Sequence, residues 1–131
     1  MWKEGEIDIL ARTLWGEARG EGRKGMEAVA AVVMNRVADP RWPGTVRGVV
    51  LQPWQFSAWN ANDPNRDRML HVMPDNPAFA TALEVAREAV AGRIADPTGG
   101  ANHYEALSND PWWTKNAVMT ASIGRHEFWR A

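Results

Sequence analysis

Cysteine is absent from the 131 residues, which excludes disulfides and thiolate metal sites and leaves the redox compartment open. No apolar run approaches the roughly 20 residues that cross a bilayer as a helix. The opening MWKEGEIDIL has neither the basic nor the apolar region of a signal peptide. Membrane insertion is therefore not expected. An excess of charge of one sign is missing too: 15 Lys and Arg against 16 Asp and Glu leave a formal net charge of -1. A nucleic-acid partner, which ordinarily demands a clearly basic face, is not expected. No Pro/Gly/Ser-rich linker, internal repeat or low-complexity tract divides the chain, so residues 1–131 read as one domain. With 45% hydrophobic and 24% charged residues, a disordered chain is excluded and a sizeable core can form.

Tyrosine occurs once and phenylalanine three times, yet there are 8 tryptophans. Trp offers a large flat apolar face and one N–H donor, suited either to a core or to a groove that stacks on ligand rings. Two clusters stand among loop-forming residues: Pro53-Trp54-Gln55-Phe56-Ser57-Ala58-Trp59 and Pro111-Trp112-Trp113.

Ile7, Leu10, Ala11, Leu14, Trp15 and Ala18 keep the spacing of a helix with one buried stripe, over about residues 5 to 18. After Gly22 to Gly25, a second set (Met26, Val29, Ala30, Val33, Met34, Val37) is backed by Ala28, Ala31 and Val32. This predicts a central helix buried nearly all round, ending before Asp39-Pro40. Thr45 caps a short helix through Leu51, and Asn76-Pro77 opens an amphipathic one ending at Gly92. Residues 60 to 76, dense in Asn, Asp and Pro, read as an irregular surface excursion. Asn102 to Ala106, Ala117 to Ile123 and His126 to Arg130 are short candidate strands. The fold class is α+β, mainly helical, with a small antiparallel sheet formed late in the chain.

Glu17 raises the chemical question. At about 100° per residue it sits on the border of the buried stripe, roughly 20° from Leu10, with Thr13 and Leu14 as same-side neighbours. Partial desolvation disfavours the charged carboxylate and lets it hold a proton near neutral pH. Cleavage of a glycosidic bond needs such an acid, because the leaving oxygen departs only once protonated. Gly16 presents no side chain to block a ligand, and Gly20 and Gly22 let the backbone turn away. The competing reading is a solvated boundary glutamate paired with Arg12, Arg19 or Arg23.

The segments LWGEARGE and GMEAVAAVVMNRV, the QPWQFSAW loop, GANHYEA and the terminal IGRHEFWR together resemble the spore cortex-lytic (SleB-like) cell-wall hydrolase family, in order over residues 6 to 130. The resemblance implies a lysozyme-like fold and action on peptidoglycan glycan strands, outside the membrane, most simply as a lytic transglycosylase. Glu17 would be its catalytic acid. Hydrolytic muramidase, and glycan binding without cleavage, are the alternatives. No second acid is placed as clearly as a hydrolase's pair requires: Glu21 is separated by glycine and Glu27 lies on a helix flank. With no leader in the chain, delivery by another protein or an origin as an excised domain is expected. A monomer is expected.

Gln55, Phe56 and Ser57 bring an amide, a ring and a hydroxyl suited to a sugar's acetamido and hydroxyl groups, though the Phe could equally plug the core. Asn102, His103 and Tyr104 alternate along a strand, so His103 points opposite to its two neighbours. Asn102 and Tyr104, if they face the groove, orient the muramyl unit, and His103 reads equally as a hydrogen-bonded core histidine. Trp112 either stacks on sugar or wedges beneath the last strand. These seven are the candidate substrate-binding residues. His71, His103 and His126 show no metal-ligand spacing, and no nucleophile elbow is present, so neither a metal nor an organic cofactor is implied.

Overall fold

The computed structural model describes residues 2–52, 55–106 and 112–131, without the side chains of 2, 3, 106, 112 and 113. Among these, helices α1 (Trp2–Ala18), α2 (Gly22–Val37), α3 (Val46–Val50), α4 (Pro64–His71) and α5 (Pro77–Val90) precede strands β1 (His103–Ala106), β2 (Val118–Ile123) and β3 (His126–Arg130).

Most of the first stripe buries as its spacing predicts: Leu10, Ala11, Leu14, Trp15 and Ala18 are at most 7% exposed, while Ile7 is only partly buried against the core and Ile9, outside the stripe, is buried with it. They pack chiefly on α5, with α2, α3 and α4 completing the surround. Helix α2 is the central one. Met26, Val29, Ala30 and Val33 join the helical core, while Ala28 and Val32 face Ala101 and Phe128 beneath the sheet. Two buried faces explain why its sequence is apolar nearly all round. Only a three-residue 3-10 turn, Arg19–Glu21, separates α1 from α2, so Gly22 to Gly25 form the first turn of α2 rather than a linker.

Caps fix the shorter elements. Thr45 accepts from the Gly48 amide at 3.0 Å, and Asn76 from the Phe79 amide at 3.1 Å. The excursion expected over residues 60 to 76 instead contains α4. Asp63 accepts from the Asn65 amide at 2.8 Å, Pro64 occupies the first turn, and Met69 is fully buried. The Asp and Pro that suggested a loop are the cap and first-turn residue of a helix anchored by one methionine. Its close approach to α1 depends on Gly16, where a Cβ would stand 2.5 Å from Met69 Sδ and 3.0 Å from Ala58 Cβ. Gly16 thus serves helix packing as well as openness.

The sheet is antiparallel in the order β1-β3-β2, with Tyr104 opposite Phe128 and a bulge in β2 between Met119 and Ala121. Tyr104 packs against both the helical core and the cluster under the sheet. That junction brings a late strand to the end of the first helix.

Candidate active site

Glu17 lies in the last turn of α1, and four other segments converge on it. The Tyr104 hydroxyl of β1 donates to Glu17 Oε1 at 2.7 Å, and the Ala58 amide donates to Oε2 at 3.4 Å. His126, at the start of β3, and Asp63, the α4 cap, act on it through space. Burial raises the Glu17 pKa above its ordinary value. The Tyr104 and Ala58 hydrogen bonds and His126 pull the other way, Asp63 adds to the rise, and burial prevails. Burial, with the nearby carboxylate, also pushes the Tyr104 phenol well up, so the phenol remains a donor.

The arginines that could have neutralised Glu17 are engaged elsewhere. Arg12 pairs with Asp8 at 3.1 Å, Arg23 lies within 3.4 Å of Glu27, Glu84 and Glu88, and Arg19 donates to Asn65 Oδ1 at 2.8 Å. The solvated, ion-paired reading of Glu17 therefore does not hold. The acid opens on a cleft of about 420 Å³ that it shares with Gly16, Gly20, Glu21 and Asn65, and with two arginines, Arg19 and Arg125. Hollows of comparable size, about 400 and 450 Å³, share Asp8 and Arg12, whose charges already answer each other.

The expected substrate residues separate on inspection. Phe56 is 1% exposed and lies in the helical core, beside Tyr104 at 6.3 Å between ring centroids. It anchors the loop from below instead of presenting a ring to a ligand. Ser57 is exposed, opening the 3-10 turn Ser57–Trp59 that supplies the Ala58 amide. Gln55 is exposed and accepts from the Arg36 guanidinium at 3.3 Å. Trp59 pins the far side of the turn, its indole N–H donating to Thr13 Oγ1 at 2.9 Å.

Asn102 is 5% exposed and its amide is spent on Ala131: Nδ2 donates to the Ala131 carbonyl at 3.0 Å, and Oδ1 accepts from its amide at 2.9 Å. It extends the β1-β3 pairing and does not line the cleft. His103 faces Trp42 edge-on at 5.8 Å, away from Tyr104 as the alternation predicts. Burial, then Arg36 and Arg41, lowers its pKa to about 4. Tyr104 reaches the acid itself: its hydroxyl donates to Glu17 Oε1 and so orients that carboxyl. The side chain of Trp112, like Pro53 and Trp54, lies outside the described residues.

Sequence reasoning missed the Ala58 amide, Asp63 and the cleft's Arg19, Asn65 and Arg125. Glu21 and His126 are a pair, Nδ1 to Oε1 at 3.4 Å, with the His126 ring edge-on to Tyr104 at 5.3 Å. The chain's only tyrosine and the IGRHEFWR segment were the signals present. A backbone amide carries none.

Comparison with known proteins agrees with this architecture. A family described as Cell Wall Hydrolase matches residues 20–129, beginning just past Glu17. The spore cortex-lytic enzyme of Halalkalibacterium halodurans is 33% identical over 130 residues, 97% of this chain but 35% of that enzyme. The chain thus spans about a third of that relative's length. The catalytic domain of the germination-specific lytic transglycosylase SleB from Bacillus anthracis superposes with a TM-score of 0.74 at 33% identity, covering 94% of this chain and 92% of that one. That of the Bacillus cereus SleB protein gives 0.77 at 32%, covering 95% and 89%. With its helices and late three-stranded sheet arranged as in those domains, this chain belongs to the cell wall hydrolase family.

Proposed function

We propose that the chain is a single catalytic domain that cleaves peptidoglycan between N-acetylmuramic acid and N-acetylglucosamine as a lytic transglycosylase, with Glu17 as both acid and base. One observation carries this reading: a desolvated carboxyl, held by Tyr104 and the Ala58 amide, opens on a cleft. In the acid form, Oε1 accepts from Tyr104, leaving Oε2 to carry the proton. That proton passes to the glycosidic oxygen as its bond to the muramyl C1 breaks. The muramyl 6-hydroxyl then attacks C1 while its proton returns to Glu17. The products are a 1,6-anhydromuramyl end and a free hydroxyl on the departing sugar, and no water is consumed. The Ala58 amide on Oε2 favours the carboxylate between the two transfers.

The nearest other acids support a single-acid scheme, since each is committed to a structural contact: Glu21 to His126 and Asp63 to the start of α4. A hydrolase would need one of them available at about 5–9.5 Å. The neighbour from Bacillus anthracis, named as a lytic transglycosylase, supports the same outcome. No metal or cofactor enters the scheme, the site of action is the bacterial wall, and the protein works as a monomer.

Incubation with purified peptidoglycan and mass spectrometry of the released muropeptides tests the reading. Anhydro ends are expected, and Glu17→Gln should abolish release. Reducing ends would mean a muramidase, and no release a binder.

A further inference from the structure

Two guanidinium groups stand in the cleft, Arg19 and Arg125, and among the described residues neither has a carboxylate paired with it. Both acids of the cleft are otherwise engaged, Glu17 with Tyr104 and the Ala58 amide, Glu21 with His126. Arg19 lies 4.2 Å over the Trp15 ring and donates to the Trp15 carbonyl at 3.3 Å and to Asn65 Oδ1 at 2.8 Å, so its plane is fixed while other N–H groups remain. Arg125 is exposed, and among the described residues it makes no hydrogen bond, ion pair or ring contact.

The position of Arg125 is built, not incidental. It is the second residue of the two-residue turn Gly124-Arg125 between β2 and β3, bounded by the Ile123–His126 pair. Gly124 has φ +58, a conformation that suits glycine in such a turn. The Glu21 carboxylate lies against that glycine, where any Cβ would collide with it, and also meets His126. One acid of the helix junction thus clamps both ends of the turn and holds Arg125 at the cleft that contains Glu17.

We propose that Arg125, with Arg19, forms a carboxylate-binding subsite that reads the acidic peptide stem of peptidoglycan. This rests on the peptidoglycan reading above. Each stem-bearing muramyl unit carries its peptide on the lactyl group at C3, on the same sugar ring whose C1 bond is cut, and the stem presents free carboxylates. A guanidinium binds a carboxylate by paired, charge-assisted hydrogen bonds. The subsite therefore favours glycan that carries stems with free acids over glycan whose stems are neutral, and the preference weakens with salt because Arg125 is exposed.

The test compares intact sacculi with sacculi whose carboxyls have been amidated by carbodiimide and ammonia, which keeps glycan and peptide but removes the charge. The unmodified protein should release muropeptides from amidated sacculi about tenfold more slowly, and Arg125→Gln should lose about tenfold on intact sacculi and little further on amidated ones. Unchanged Tm would show that the exposed turn still folds. Equal rates of the unmodified protein on the two substrates, or an equal loss by Arg125→Gln on both, would overturn the subsite. Co-sedimentation of Glu17→Gln, with and without Arg125→Gln, reads the same preference without catalysis. Cleavage of neither substrate alongside preserved selective binding would refute the cutting reading and support the subsite; equal binding to both would refute the subsite.

Discussion

Tyr104 and Glu17, 87 positions apart in the chain, meet at 2.7 Å, with the phenol donating to the carboxylate. That hydrogen bond lowers a pKa that burial raises. Removing it by Tyr104→Phe should raise the Glu17 pKa further, so the acid form persists to higher pH. The alkaline limb of the pH–activity profile is expected to move upward, with kcat down about tenfold. An unmoved limb would show that the phenol does not act on the acid.

Asp63 supplies the opposite lever. Its charge raises the Glu17 pKa from the start of α4. Asparagine caps a helix as well as aspartate, so Asp63→Asn should leave Tm nearly unchanged and move the alkaline limb downward. Two substitutions shifting one limb in opposite directions would identify Glu17 as the titrating group.

The raised pKa of Glu17 also has a cost in stability. Below the ordinary carboxyl value of 4.5 both folded and unfolded chains hold the proton, and there is no penalty. As pH rises through the folded value, only the unfolded chain ionises freely, so the native state loses stability. Glu17→Gln, a neutral group of similar shape, should therefore raise Tm by a few degrees at pH 8 and by less at pH 4. Thermal melts across that range check it.

Phe56 is a test of core against ligand contact. Truncation of a ring 1% exposed should cost about 3–5 kcal/mol in Phe56→Ala. Phe56→Leu, which refills most of the volume, should keep KM within about threefold below its melting temperature. A large rise in KM with unchanged Tm would place the ring against substrate instead.

His103 should make the protein acid-sensitive. Its pKa falls from 6.5 to about 4 on folding, so between those values the unfolded chain takes up a proton that the folded chain refuses. Stability is lost as pH falls through that window. His103→Gln should flatten the decline of Tm between pH 6.5 and 4, and an identical slope would exclude it as the source.

Much of the helical frame was legible locally. Leu10, Leu14 and Ala18 specify the buried side of α1 by spacing alone, and the two apolar faces of α2 require burial between layers, because periodicity fixes which side leaves water. Thr45, Asn76 and the residues flanking the late strands carry their own start and stop chemistry. Helix α4 was missed although its Asp63-Pro64 signal was present. Eight residues with a single buried methionine show almost no periodicity, and the helix is held by packing on Gly16.

The candidate site divides along the same line. Placing Glu17 at the edge of a buried stripe follows from residue spacing on one helix, and so was decided by sequence. What surrounds it was not. The Tyr104 phenol, the Ala58 amide, His126 and Arg125 arrive from 41 to more than 100 positions away, and their nearness exists only once the sheet packs against α2 and the Ser57–Trp59 turn packs on α1. The same folding turned Phe56 and Asn102 inward, since a ring next to a core and an amide next to a strand end are more stable buried and hydrogen-bonded than left in a groove.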